Sequence, residues 1–261
     1  MAPTHLTVTF LGTGTSVGVP VIGCDCAVCQ SGDPRDRRTR SSIYVETPET
    51  AFVIDTGTDF RAQCLRENIR RMDAVVFTHS HTDHTMGFDD LRPFCFGLRE
   101  MPVYASAETM DDLKRIYPWA FSGENSFPGY ILPVPSVIDG PFNLGETELT
   151  PLPVLHGRAK VNGYLFTRSG RKILAYVSDV KMVPDAVLEL MSGVENLIID
   201  ALRIRPHPTH LSVEEALGVS RHVGAGKTWF THLCHELGHA ETELSLPESV
   251  RVAYDGLKIQ L

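Results

Sequence analysis

Short apolar runs, each closed by glycine, proline or a polar turn, set the rhythm of this chain. Leu6 to Leu11 is the first and ends in Gly12-Thr13-Gly14. Ser42 to Val45 and Ala51 to Ile54 predict paired strands across a turn at Glu46 to Thr50. Asp59 to Ile69 predicts a helix with Asp59 as its cap, and Ala74 to Phe77 a buried strand. A helical stretch over Glu108 to Tyr117 precedes Pro118 to Pro141, a Pro- and Gly-rich connection that suits a rim over a site or an irregular packed loop. Strands are expected again at Glu148 to Leu155, Gly163 to Thr167, Lys172 to Val177 and Asn196 to Asp200, with a helix over Val183 to Met191 among them. Ser212 and Glu215 have capping-box spacing for a helix running to about His222. Thr228 to Thr231 and Leu257 to Leu261 complete the pattern.

Composition narrows the class. The 261 residues are 43% hydrophobic and 21% charged, ordinary for a globular chain, and one domain over 1–261 is expected. A net charge of -8 disfavours nucleic acid as a partner. No apolar run approaches the roughly 18 residues that cross a bilayer, and no export signal opens the chain, so a cytoplasmic protein with reduced thiols and no membrane partner is expected. Oligomeric state is left open, a homodimer included.

The chemistry concentrates in Thr78-His79-Ser80-His81-Thr82-Asp83-His84, three imidazoles and a carboxylate where the Ala74 to Phe77 strand stops. Imidazole is the commonest transition-metal ligand, and a strand end anchors ligands rigidly at an open edge. His79 and His81 point toward one ion and Asp83 and His84 toward a second, so two metals are suggested. Later strands deliver His156, Asp179 and His232 to their ends in the same way. Asp55 closes a strand too, where a carboxylate can orient a metal histidine from behind. Cys24, Cys26 and Cys29 can wrap a zinc one ligand short of tetrahedral, with His235 favoured to complete it and Cys234 as its rival. Gly12 to Gly18 lacks a phosphate loop's Lys-Ser/Thr and reads as a tight turn exposing backbone N–H groups. Arg35, Arg37, Arg38 and Arg40 read as a solvated basic loop. Arg203, Arg205, His207 and His210 share a Pro-containing loop, while His5, His222 and His239 are treated as incidental.

The His79 to His84 cluster, followed by His156, Asp179 and His232, resembles the ligand set of the metallo-β-lactamase superfamily. That resemblance implies an α/β (α+β) fold, a four-layer αββα sandwich with metals at one edge. It implies one ion on His79, His81 and His156, another on Asp83, His84 and His232, and Asp179 bridging them. β-Lactamases proper carry Cys where this chain has Asp179, which disfavours antibiotic hydrolysis. Gly12 to Pro20 with Cys24, Cys26 and Cys29 is similar to the phosphoribosyl 1,2-cyclic phosphate phosphodiesterase family of the carbon-phosphorus lyase pathway. That family implies a structural zinc on Cys24, Cys26, Cys29 and His235, and a substrate-phosphate contact at His210. The segment from Asp89 to Phe96 and the loop from Arg203 to Pro208 depart from it. The expected activity is metal-dependent hydrolysis of a small phosphodiester with two zinc or manganese ions, Asp83 or His210 positioning or protonating the departing group. A transfer-RNA 3′-end nuclease and a lactonase or thioesterase share the metal set and are the alternatives.

Overall fold

The computed structural model describes residues 6–123 and 127–261; His5 and part of the 118–141 connection lie outside them. The first sheet takes β1 (Thr7–Gly12), β2 (Ser42–Glu46), β3 (Ala51–Ile54), β4 (Ala74–Val76), β5 (Met101–Ala105) and β6 (Pro133–Val137). The second takes β7 (Phe142–Leu144), β8 (Thr147–His156), β9 (Ala159–Arg168), β10 (Arg171–Val177), β11 (Asn196–Asp200), β12 (Lys227–Thr231) and β13 (Val250–Val252). The chain then returns as β14 (Lys258–Gln260) to the outer edge of β1, so each sheet has seven strands among the described residues. Each sheet is antiparallel at one end and parallel at the other, from β3 to β6 and from β10 to β13. Parallel neighbours need crossovers, and these carry the helices.

Three apolar layers hold the sandwich. Val8, Phe10, Phe52, Ile54 and Val76 from one sheet meet Leu149, Tyr164, Phe166, Leu174 and Ile198 from the other, with Phe52 stacked on Phe166 at 6.1 Å. Alternate residues face outward. Val53, Val75 and Val103 pack on the helix Ala107–Ile116, and Ala175, Val177, Leu197 and Ile199 pack on the helices Asp185–Met191 and Val213–Val223. Strands covered on both faces therefore read as unbroken apolar runs.

Several expectations need correction. Asp59 does stand at the N-cap of the helix, which spans Phe60–Arg66, but its side chain makes no cap hydrogen bond; its carboxylate instead takes the Arg40 N–H and guanidinium. The arginine run is solvated only in part: Arg37 is exposed, whereas Arg38 is fully buried and donates to the carbonyls of Cys234 and Leu237 and to Asp36. The glycine turn does not offer its N–H groups to solvent either. Thr13 donates to Asp255, Gly14 to Thr39 and Thr15 to Leu233, and a Cβ on Gly12 would lie 1.9 Å from the Arg40 carbonyl oxygen. The 118–141 connection contains the short helix Pro118–Phe121 and the edge strand β6.

Candidate metal centre and active site

The site lies at one edge of the sandwich because six strands end there. Asp55 follows β3, Thr78 and His79 follow β4, His156 ends β8, Asp179 follows β10, Asp200 ends β11 and His232 follows β12. The helix Thr82–Thr85 brings Asp83 and His84 inward. It packs closely on the turn after β3, where a Cβ on Gly57 would stand 2.2 Å from the Asp83 carbonyl oxygen. Asp55 and His232 hold φ of 65° and 56°, a left-handed conformation these residue types enter more readily than most.

Asp179 sits at the centre. Its carboxylate is 3.0 Å from His232 Nε2, 3.3 Å from His84 Nε2 and 3.7 Å from His79 Nε2. Donor atoms of Asp83, His84, Asp179 and His232 all lie within 4.8 Å of one another, as do those of His79, His81 and Asp179. His156 joins the second side through its ring, 5.3 Å from that of His81. The seven residues expected around two ions are thus brought together. His210 is brought there as well, its ring 4.6 Å from His232 and 4.4 Å from His156.

Hydrogen bonds behind the cluster orient the rings. Asp55, buried completely, accepts from His84 Nδ1 at 2.7 Å and from both Thr78 donors at 2.8 Å. His156 Nδ1–H donates to the Thr209 carbonyl at 2.7 Å, and His210 Nδ1–H to Asp200 at 2.7 Å. Each bond fixes a tautomer and turns Nε2 toward the cluster. Asp200 escaped the sequence reading. Its signal was available, since it closes a buried strand as Asp55 and Asp179 do.

Electrostatics match a cation site. Burial pushes His79 well below, and His156 below, the ordinary imidazole value, so both stay neutral. Burial opposes charge on Asp179, yet His232 and His84 hold its carboxyl well below the usual range. Asp83 is likewise held down to about 2, against burial, by the charge of His84, whose Nε2 lies 3.3 Å from its carboxylate. Burial would also discharge His84 and His232, but Asp179 keeps His84 protonated well above its ordinary value and His232 up to about 9. His79 Nε2, His84 Nε2, both ring nitrogens of His232 and Oδ1 of Asp179 are buried without a hydrogen-bond partner. Buried polar atoms are rarely left so. Neutral imidazoles, two carboxylates and buried polar atoms without hydrogen-bond partners at one point suit divalent cations, which would take over the charge balance that protons on His84 and His232 supply here.

The thiol cluster lies apart from this centre. Sγ of Cys24, Cys26 and Cys29 stand 3.2, 3.5 and 3.6 Å from His235 Nδ1. Cys234 turns its sulfur to the Glu236 N–H and is outside the group. The Cys29 N–H is the main influence drawing Cys26 down to about 6, while burial pushes Cys29 up to about 11.

Two face-packed sheets, helices outside and a His/Asp cluster at the strand ends define the metallo-β-lactamase class of hydrolase. Residues 50–233 match the family model described as Beta-lactamase superfamily domain. A solved structure titled a new diphosphatase from the PhnP family superposes with a TM-score of 0.90 at 39% identity, covering 98% of this chain and 97% of that one. An octanoyltransferase of Porphyromonas gingivalis is 36% identical over 253 residues, 95% of this chain, but the chain spans only 50% of that protein's length. Ribonuclease Z of Bradyrhizobium diazoefficiens is 28% identical over 211 residues, 76% of this chain and 63% of that protein. The chain belongs to the metallo-β-lactamase superfamily and, within it, to the PhnP family.

Proposed function

We propose that the chain hydrolyses a small phosphodiester, with a cyclic ribose phosphate as its substrate class. The observation that carries this reading is Asp179, whose one carboxylate reaches histidines of both halves of the cluster. In this reading His79, His81 and His156 hold one divalent ion, Asp83, His84 and His232 the other, and Asp179 is shared. Cys24, Cys26, Cys29 and His235 hold a structural zinc. Bound at the catalytic centre, two zinc or manganese ions supply a water acidic enough to attack at neutral pH and neutralise charge on the phosphoryl oxygens.

The remaining work falls to the chain. Asp55 and Thr78 keep the His84 and His79 rings from turning, and Asp200 holds His210 with Nε2 facing the substrate space. Asp83, ionised at neutral pH, acts as ligand and acceptor rather than proton donor, and it is His210 that positions the departing group.

A second reading, hydrolysis of a disubstituted diphosphate, is favoured by the solved PhnP-family relative that is titled a diphosphatase. Turnover of adenosine 2′,3′-cyclic phosphate, ADP-ribose and a short RNA by the metal-replete protein separates them. The first reading predicts the highest kcat/KM for the cyclic diester. A higher value for ADP-ribose would install the second reading, and cleavage of RNA alone would overturn both.

A further inference from the structure

Three imidazoles stand in a row from the buried centre outward: His232, His210 and His207, with ring centroids 4.6 Å and then 5.2 Å apart. The first two belong to the site already described. His207 has no part in it so far, and it is only half-buried, where the row meets solvent.

Its hydrogen bonds decide its tautomer. The Thr209 backbone N–H donates to His207 Nδ1 at 3.3 Å, with Thr209 Oγ1 also 3.2 Å away. A backbone amide can only donate, so Nδ1 carries the lone pair and the neutral ring has its proton on Nε2. His210 is fixed the opposite way. Its Nδ1–H faces the Asp200 carboxylate, and a neutral ring then presents a lone pair at Nε2. Two neighbouring imidazoles therefore offer unlike ends to whatever lies before them, an acceptor on His210 and a donor on His207. Burial, with His210 and Arg203 nearby, depresses the His207 pKa and keeps the ring in this neutral, donating form.

The loop is built to hold that donor still. His207 lies between Pro206 and Pro208, and a residue before proline is confined to extended backbone. The Arg203 guanidinium donates to the carbonyls of Arg205 and Pro206, and Arg205 is tied to Glu236. On the inner side the Thr209 carbonyl is fastened to His156. Ordering costs at this position have been met before a substrate arrives.

We propose that His207 is a further catalytic residue, whose Nε2–H donates a hydrogen bond to the leaving oxygen of the substrate and stabilises charge there without giving up its proton; the departing alkoxide takes its proton from solvent water. The inference rests on the phosphodiesterase reading above and adds a residue to it. Departing oxygens of low basicity need such a donor little, whereas a sugar alkoxide needs it most.

Two near-isosteric substitutions separate this role from a purely structural one. The amide of Asn falls where Nδ1 stands and can still accept from Thr209, but it does not reach the Nε2 position. Gln reaches the Nε2 position with an N–H and gives up the staple. Turnover of adenosine 2′,3′-cyclic phosphate, which expels an alkoxide, and of bis(p-nitrophenyl) phosphate, which expels a weakly basic phenolate, is measured for wild type, His207→Asn and His207→Gln with metal content checked in each. For the cyclic diester, His207→Asn is expected to lower kcat by roughly ten- to a hundredfold, the range of one charge-assisted hydrogen bond. Bis(p-nitrophenyl) phosphate should change much less, and His207→Gln should recover most of the loss at unchanged metal content. An Asn variant with wild-type kcat on both substrates, or one impaired through lost metal, would overturn the assignment alone. A wild-type enzyme that turns over neither substrate would remove the phosphodiesterase reading and this inference with it.

Discussion

Asp55→Asn tests how the histidine cluster is prepared for a cation. The side chain is fully buried, and its two oxygens serve three donors: Oδ1 faces the Thr78 N–H, while Oδ2 faces Thr78 Oγ1 and His84 Nδ1. Asn has the same shape and tolerates the φ of 65° there, so the fold should survive. The backbone N–H of Thr78 cannot become an acceptor, so the amide oxygen must face it and the amide NH₂ then meets His84 Nδ1. That imidazole is driven into the other tautomer. Its proton moves to Nε2, which points at Asp83 and Asp179 at 3.3 Å in each case, and the lone pair that would bind a cation is lost. Losing such a supporting partner typically weakens metal binding by about ten- to a hundredfold, roughly 1.4–2.7 kcal/mol. Competition against a chromophoric zinc chelator reads the affinity, and a thermal melt of the metal-free protein checks the fold. Wild-type affinity in a variant that melts normally would refute the reasoning.

Two other perturbations probe the scaffold. Arg168 donates to both oxygens of Glu49 and holds that carboxyl down to about 2 from an ordinary 4.5, so the pair's contribution is full above the ordinary value and fades as pH falls toward about 2. Glu49→Gln should therefore lower Tm near neutral pH and lower it less near about pH 3; an equal deficit at both would contradict the linkage. Ser212→Ala removes half of a capping box in which Ser212 accepts the Glu215 N–H and Glu215 accepts the Ser212 N–H. Denaturant unfolding should show a loss of about 1 kcal/mol, and no change would mean the helix start is held by its packing alone.

What could be read from the chain follows physical lines. The strands that carry the site are short apolar runs with polar ends, so β4, β8, β10 and β12 were visible together with the residues they deliver, and β11 was visible without the role of Asp200 at its end. The capping box at Ser212 was visible because its signal is local. Edge elements were harder to read. Pro133–Val137 holds two prolines and is mostly exposed on both faces, and Val250–Val252 is too short to show a period. Arg38 misled because charge in a run of arginines suggests solvent, whereas this one is stabilised by carbonyls nearly 200 positions away, whose approach depends on the folded chain. Asp59 was placed correctly at the helix start, but a partner at Arg40 takes the carboxylate that would otherwise bond the first turn. His207 gains its meaning only from which of its atoms faces which neighbour, and spacing does not encode that.

The account stands on Asp179 joining two ion sites while the thiol cluster holds a third, so the most direct measurement is elemental analysis of metal-replete wild type beside Asp179→Ala. About three ions per chain in the wild type, and about one zinc retained in the variant, is the predicted result, because Cys24, Cys26, Cys29 and His235 do not depend on that carboxylate. One ion or none in the wild type, or three retained without Asp179, would contradict it.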